Sequence, residues 1–181
     1  MSNEGTAVFE TMRSAVFFAF NFSTEQYGQM PLARLQRSSI GSGKGLVGQD
    51  GAGQAGMVLA QVWRLTPIER AAIVARFSPR SDLCPCCGGQ KPTALWQEAV
   101  EQMASVVLPV GVSNYRCRLE LVAKHFGVSV RFEDLATRHA LSRNTISEHY
   151  RTMTRRLADI EAKAQAAIDD ALRVSGMVGS A

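Results

Sequence analysis

Apolar positions along the chain recur at helical spacing, in blocks separated by glycine and proline. In residues 6–22, Val8, Phe9, Met12, Val16 and Phe20 fall near a 3.6-residue period, with Phe17 and Phe18 as extra aromatics. This face suits a core helix first, and it is wide enough to serve a partner as well. A second helix is expected from about Gln54 to Trp63. In the next block Thr66 is placed to cap, Pro67 takes the first helical position and Glu69 follows three residues after the cap. This is a capping box ahead of Ile68, Ala72, Ile73 and Phe77, closed by Pro79. Residues 93–107 put Leu95, Trp96, Val100, Met103 and Val107 on one side behind a Thr93 cap, before Pro109 and Gly111. Residues 114–126 read as a helix stopped by Gly127, and Val128–Arg131 as a short extended piece. From Ala158 the chain is alanine-rich, charged and strongly helical by propensity. No stretch alternates at a period of two, so the expected fold class is all-α.

Between the first two blocks, residues 38–56 hold seven of the 15 glycines and read as a flexible loop or linker. The run Ile40–Leu46 falls short of a phosphate-binding loop. Ser38 stands where the first glycine is needed, Gly45 follows Lys44 in place of Ser or Thr, and no strand precedes it. A loop of this kind with one lysine could instead enter a partner's channel.

The segment 132–157 carries the clearest signal. Leu135 and Ala136 form the inner face of a short helix, and Ala136 is small enough to let a second helix cross closely. Residues 139–142 make a turn with Leu141 as its plug, and Ser142 caps a second helix whose inward residues are Ile146, Tyr150 or Met153, and Leu157. Its outward face carries Arg143, Asn144, Thr145, Ser147, Glu148 and Arg151, the side-chain types that read base edges. Arg138, Arg155 and Arg156 flank this face and suit phosphates. Between 131 and 157 six arginines stand against Glu133, Asp134 and Glu148, a local excess of +3 in a chain of formal net charge +4. The expected partner is double-stranded DNA. His139 and His149 are read as surface or phosphate-contacting residues. With no catalytic dyad, acidic cluster or nucleotide loop, no enzyme is expected.

Four cysteines stand at 84, 86, 87 and 117. Three within four residues are poorly spaced for disulfides and well spaced for thiolate ligation. Cys84-Pro85-Cys86-Cys87-Gly88-Gly89 has the C-P-x-C-G form of a zinc knuckle, in which proline stiffens the turn and two thiolates converge on one ion. A structural Zn2+ is therefore expected, with Cys84, Cys87 and Cys117 as ligands and Cys86 or His125 as the fourth. Cys117 and His125 lie eight apart on one helix, ~12 Å, so joint ligation by both is awkward. Such a zinc would staple the cysteine segment to the helix carrying Cys117. Ala15–Phe22 is preceded by Glu4, Glu10 and a single Arg13, without a small-residue cleavage site, so no signal peptide or membrane span is expected. A cytoplasmic, nucleoid-associated location follows.

Two segments resemble parts of one family. Residues 65–77 look like the opening helix of region 4 of bacterial sigma factors, and residues 132–157 resemble the closing helix-turn-helix of that module. Roughly fifty residues separate them here, where sigma factors have only a few, and nothing like the promoter-melting region is visible. A short region-4-like chain with an inserted metal segment is similar to phage and prophage proteins, particularly the Q-type late-gene antiterminators. That resemblance implies a protein that binds DNA beside a promoter, loads onto paused RNA polymerase in contact with sigma factor, and keeps terminator hairpins from forming in the exit channel. The alternative is a conventional repressor or activator, a homodimer with the alanine-rich C-terminal helix as its seam. The expected organisation is an N-terminal helical segment 1–37, the glycine-rich loop 38–56, a DNA-binding domain 57–157 with the cysteine segment 82–92 inserted, and a C-terminal helix and tail 158–181.

Overall fold

The computed structural model describes residues 7–27, 49–108 and 112–179. Among them the chain is mostly helical: α1 (Met12–Tyr27), α2 (Gln49–Arg64), α3 (Pro67–Phe77), α4 (Ala94–Val106), α5 (Tyr115–His125), α6 (Phe132–His139) and α7 (Arg143–Val174). Between α3 and α4 lies an antiparallel ribbon, β1 (Ser81–Leu83) and β2 (Gln90–Pro92). The chain divides into two compact units, residues 1–64 with 167–181 and residues 65–166. No helix among the described residues is long and apolar enough to cross a membrane.

In the first unit α1 packs on α2. Met12, Ala15, Val16, Ala19 and Phe20 form its buried stripe, facing a core that includes Ala55, Val58 and Val62. The helix begins at Met12 because Thr11 and Ser14 cap one another: each side-chain oxygen accepts from the other's backbone N–H, at 3.1 and 3.2 Å. Val8 and Phe9, expected inside the helix, therefore precede it. Phe9 instead pairs in parallel with Val178, its N–H donating to Met177 O at 2.9 Å. The α2 helix starts five residues before the expected Gln54, so residues 49–56 of the expected glycine-rich loop are helical. Gly53 and Gly56 each weaken a helix by about 1 kcal/mol relative to alanine. Burial of Ala55, Val58 and Val62 outweighs that penalty. The P-loop-like run and the rest of that glycine-rich segment, residues 38–48, lie outside the described residues.

The second unit is built on α3, α4, α5, α6 and the first part of α7. The capping box on α3 is present, with Thr66 Oγ1 accepting from Glu69 N–H and the Glu69 carboxylate accepting from Thr66 N–H at 3.2 Å. Ala71 to Ala75 are all buried, and Trp96 on α4 donates its indole N–H to Ala75 O at 3.1 Å. Gly127 follows α5 with φ +98, and a Cβ there would meet the Arg80 guanidinium at 2.5 Å. Arg80 uses that space to donate to Gly127 O at 2.7 Å, so the glycine both ends the helix and admits the arginine. The β-ribbon is a short addition to a chain that is mostly helical, consistent with the all-α expectation. Its six strand residues are all exposed, so no inward–outward alternation marks them in the sequence. The α7 helix runs unbroken through 157, the position at which a DNA-binding domain was expected to give way to a C-terminal helix and tail.

Glu161 on α7 is buried, and three elements meet on it. Arg76 from α3 donates through Nε and Nη2, both at 2.6 Å, and its guanidinium also lies over the Phe126 ring. His125 Nε2 stands 3.3 Å away, and Gln165 one turn on donates at 2.8 Å. Burial opposes ionisation of Glu161, but the hydrogen bonds from His125 and Arg76, with the Arg76 charge, overcome it and hold the carboxyl at about 2. A group whose folded value lies below its ordinary 4.5 stabilises the fold above that pH and loses its contribution as pH falls toward 2. Glu161→Ala should cost roughly 2 kcal/mol in urea denaturation at pH 7, because it leaves the part-buried Arg76 guanidinium without its partner. The gap between parent and variant should close as the titration is carried down from pH 4.5; a gap independent of pH would contradict this assignment.

A candidate nucleic-acid interface and a cysteine hairpin

A three-residue turn joins α6 to α7. Ala140 adopts the left-handed conformation, φ 53, and both its N–H and that of Leu141 donate to Ala136 O. Ser142 caps α7, its Oγ accepting from Thr145 N–H at 3.0 Å and lying 2.8 Å from Thr145 Oγ1. Ile146, Met153 and Leu157 are buried. Met153 thus takes the inward position for which Tyr150 was the alternative. Tyr150 is half-buried against Phe132 of α6 at 5.3 Å, with the Lys124 ammonium over both rings. Leu141 and Ala136 are half-buried beneath the turn.

The buried set leaves one continuous outward face. Arg143, Asn144, Ser147, Glu148, Arg151, Arg155 and Arg156 are all exposed, at the i, i+1, i+4, i+5 spacing of a single helix side. From 143 to 156 that face carries four arginines and one glutamate, an excess of +3. Ser142 is exposed and Thr145 half-buried, and their hydroxyls are engaged with each other. The arginines differ in their partners. Arg138 pairs with Glu120 of α5, which His139 also approaches at 3.2 Å, and Arg143 pairs with Glu133 of α6. Glu133 is held below the usual carboxylate range by its own backbone N–H and by Arg143. Arg151, Arg155 and Arg156 have no ion pair or hydrogen-bond partner among the described side chains. His139 is tucked against α5, its Nε2 3.2 Å from Glu120 Oε1, and is not a surface residue, its side chain being only 6% exposed.

The cysteines sit at the tip of the ribbon. Cys84 N–H donates to Gly89 O at 2.6 Å and Gly88 N–H to Cys84 O at 2.9 Å, with Gly88 at φ +67 turning the chain. The turn gathers Cys84, Cys86 and Cys87, whose sulfurs all lie within 4.8 Å of one another. Cys84 and Cys86 are 2.8 Å apart. Hydrogen bonds from the Cys86 thiol and backbone, and then from Cys87, lower Cys84 to about 7, while the same contact raises Cys86. These three thiols could hold a metal ion.

Cys117, expected as the third ligand, is not part of this group. It sits near the start of α5, its N–H capped by Asn114 Oδ1 at 3.2 Å and its thiol fully buried. Burial, helped by the Glu120 charge, pushes that thiol above its ordinary value and makes it a small core residue. His125 is engaged with Glu161, so neither it nor Cys117 completes the cluster. Cys86, weighed only as the fourth ligand, is a full member. The sequence signal for it was adjacency: on a turn this tight, three cysteines cannot avoid one another.

No family model, no curated protein and no solved structure is matched by the chain.

A prediction follows from the turn. Ala140→Gly should stabilise the protein by about 1 kcal/mol in thermal denaturation, because glycine adopts φ 53 without the Cβ penalty. Loss of stability would mean that the Ala140 methyl contributes packing worth more than the strain.

Proposed function

We propose that this chain is a sequence-specific DNA-binding transcription factor of the antiterminator kind, which binds DNA through α6 and α7 and then acts on RNA polymerase. The observation that carries the DNA-binding part is the exposed, partner-free trio Arg151, Arg155 and Arg156, continuous with the polar first turns of a capped helix. Such an arrangement neutralises phosphates along one groove wall while Arg143, Asn144 and Glu148 reach base edges. Arg143 must exchange Glu133 for a base or phosphate on binding, whereas the trio exchanges only water. What supports the polymerase step is the resemblance of 65–77 and 132–157 to sigma-factor region 4, two segments that lie in the same compact unit. Sigma factor would then be the partner beside which the protein loads.

A second reading, the dimeric repressor or activator, draws on a different observation. Ala158, Ala162 and Ala166 are all exposed along one side of α7, a stripe that lets a second helix approach closely. The two readings part in DNA symmetry, since a two-fold dimer favours palindromic half-sites and a polymerase-loaded factor does not need them.

The proposal includes a zinc ion on the hairpin, held by Cys84, Cys86 and Cys87. Its chemistry there is structural: thiolate bonds would fix the turn that the backbone already forms.

Selection of bound DNA from a random library, followed by gel-shift titration over a range of salt, tests the DNA-binding reading. Replacing both Arg143 and Asn144 with alanine should remove two base contacts worth about 1–3 kcal/mol each and leave weak, salt-sensitive binding through the trio. Equal affinity of parent and variant for the selected site would remove α7 as the reading helix. A terminator read-through assay with purified polymerase then tests the second step, with more read-through expected only on templates carrying the selected site.

A further inference from the structure

We propose that the cysteine hairpin is an open, thiolate-only site for a soft metal ion, with three sulfurs from this chain and the fourth position taken by an exchangeable donor from outside it. This rests on the reading of Cys84, Cys86 and Cys87 as ligands and goes beyond it in the coordination number and in the kind of ion preferred.

Three observations lead there. First, the sulfurs already converge: three thiolates bound to one ion at about 2.3 Å stand roughly 3.8 to 4.0 Å apart, inside the 4.8 Å within which these three lie. The Cys84–Cys86 contact, at 2.8 Å, must open as the ion enters and the thiols give up their protons to solvent. Second, the described residues offer no fourth ligand. No histidine, aspartate or glutamate among the described residues joins the group, and Cys117 is locked in the helical core. His125 is held by Glu161 and His139 by Glu120. Third, the site faces solvent: Cys86 and Cys87 are exposed, and so is every residue from Pro85 to Pro92. Among the described residues, those of the turn itself are exposed on the side that three converging sulfurs would leave bare.

A closed tetrahedral site excludes further ligands, while a three-ligand site keeps a position for one. With sulfur as its only donor type, the site favours soft ions such as Cd2+ over oxygen-seeking ones. The ligand that fits the open position best is a further thiolate. In ligand exchange a water leaves the metal, the incoming thiol gives up its proton to solvent, and a metal–sulfur bond forms with no change of oxidation state.

The test uses the reduced full chain, freed of metal by a chelator and titrated with Co2+, whose visible absorption reports geometry and whose ultraviolet charge-transfer band reports the number of thiolates. One Co2+ per chain is expected, with an absorption intensity for three sulfurs that shifts toward four when a small monothiol is added. Cys117→Ala should leave stoichiometry and spectrum unchanged. Cys84→Ser and Cys87→Ser should each weaken binding by more than about a hundredfold, beyond the loss seen when a group that merely orients a ligand is removed. Cd2+ should displace Co2+ and Mg2+ should not. Circular dichroism of each variant checks that the helices persist.

Binding that depends on Cys117, a spectrum indifferent to the monothiol, or one Co2+ per two chains would overturn the open site and leave hairpin ligation standing. No Co2+ binding by the folded parent would overturn both.

Discussion

The second unit depends on one buried carboxylate. Glu161 receives a forked pair of hydrogen bonds from Arg76, a contact from His125 and one from Gln165, so α3, α5 and α7 are referenced to a single point. Apolar packing alone would allow these helices to slide by small amounts, because it is not directional. A bidentate guanidinium–carboxylate pair has one good geometry. Its cost is the desolvation of two charges, and here every acceptor position that burial strips of water finds a donor within the unit. Since α7 also carries the exposed arginines, the register set at Glu161 is passed along a continuous helix to the face that would meet DNA.

Much of this unit was legible in the chain because local chemistry and global fold agree. Thr66, Pro67 and Glu69 start α3, Thr93 starts α4, Gly127 ends α5 and Ser142 starts α7, each through a hydrogen bond or backbone conformation its residue type favours. Where tertiary packing outweighs local preference, the sequence misleads. Gly53 and Gly56 signal a loop but lie in α2, held there by the apolar residues between and after them. The buried positions Ile146, Met153, Leu157, Ala164 and Ile168 continue at helical spacing through 157, a sign in the sequence that the segment after the turn and the alanine-rich segment are one element. The Glu161 cluster joins residues 85 positions apart and was invisible, as any pairing between distant polar residues must be without coordinates.

The cysteines show the same division. That three of them share a turn was readable from spacing alone. That Cys117 does not join them was not, because Cys117 at N3 of α5 reads equally well as a ligand or as a core residue, and only burial decides. The outcome separates two roles that the sequence had merged. Cys117 belongs to the helical core, and the hairpin is an appendage fastened at its base, where Thr93 donates its N–H to Arg80 O and its hydroxyl to Pro79 O.

The placement of the indoles has a practical corollary. The chain has two tryptophans. Trp96 is buried in the second unit, its ring nitrogen tied to Ala75 O, while Trp63 in the first unit is 45% exposed. Unfolding therefore shifts intrinsic emission chiefly through Trp96, in the unit 65–166, whereas far-ultraviolet ellipticity sums the helices of both units. Melting followed by the two signals would superimpose only if the units unfold together, so the protein carries its own internal gauge of whether they are one cooperative body or two.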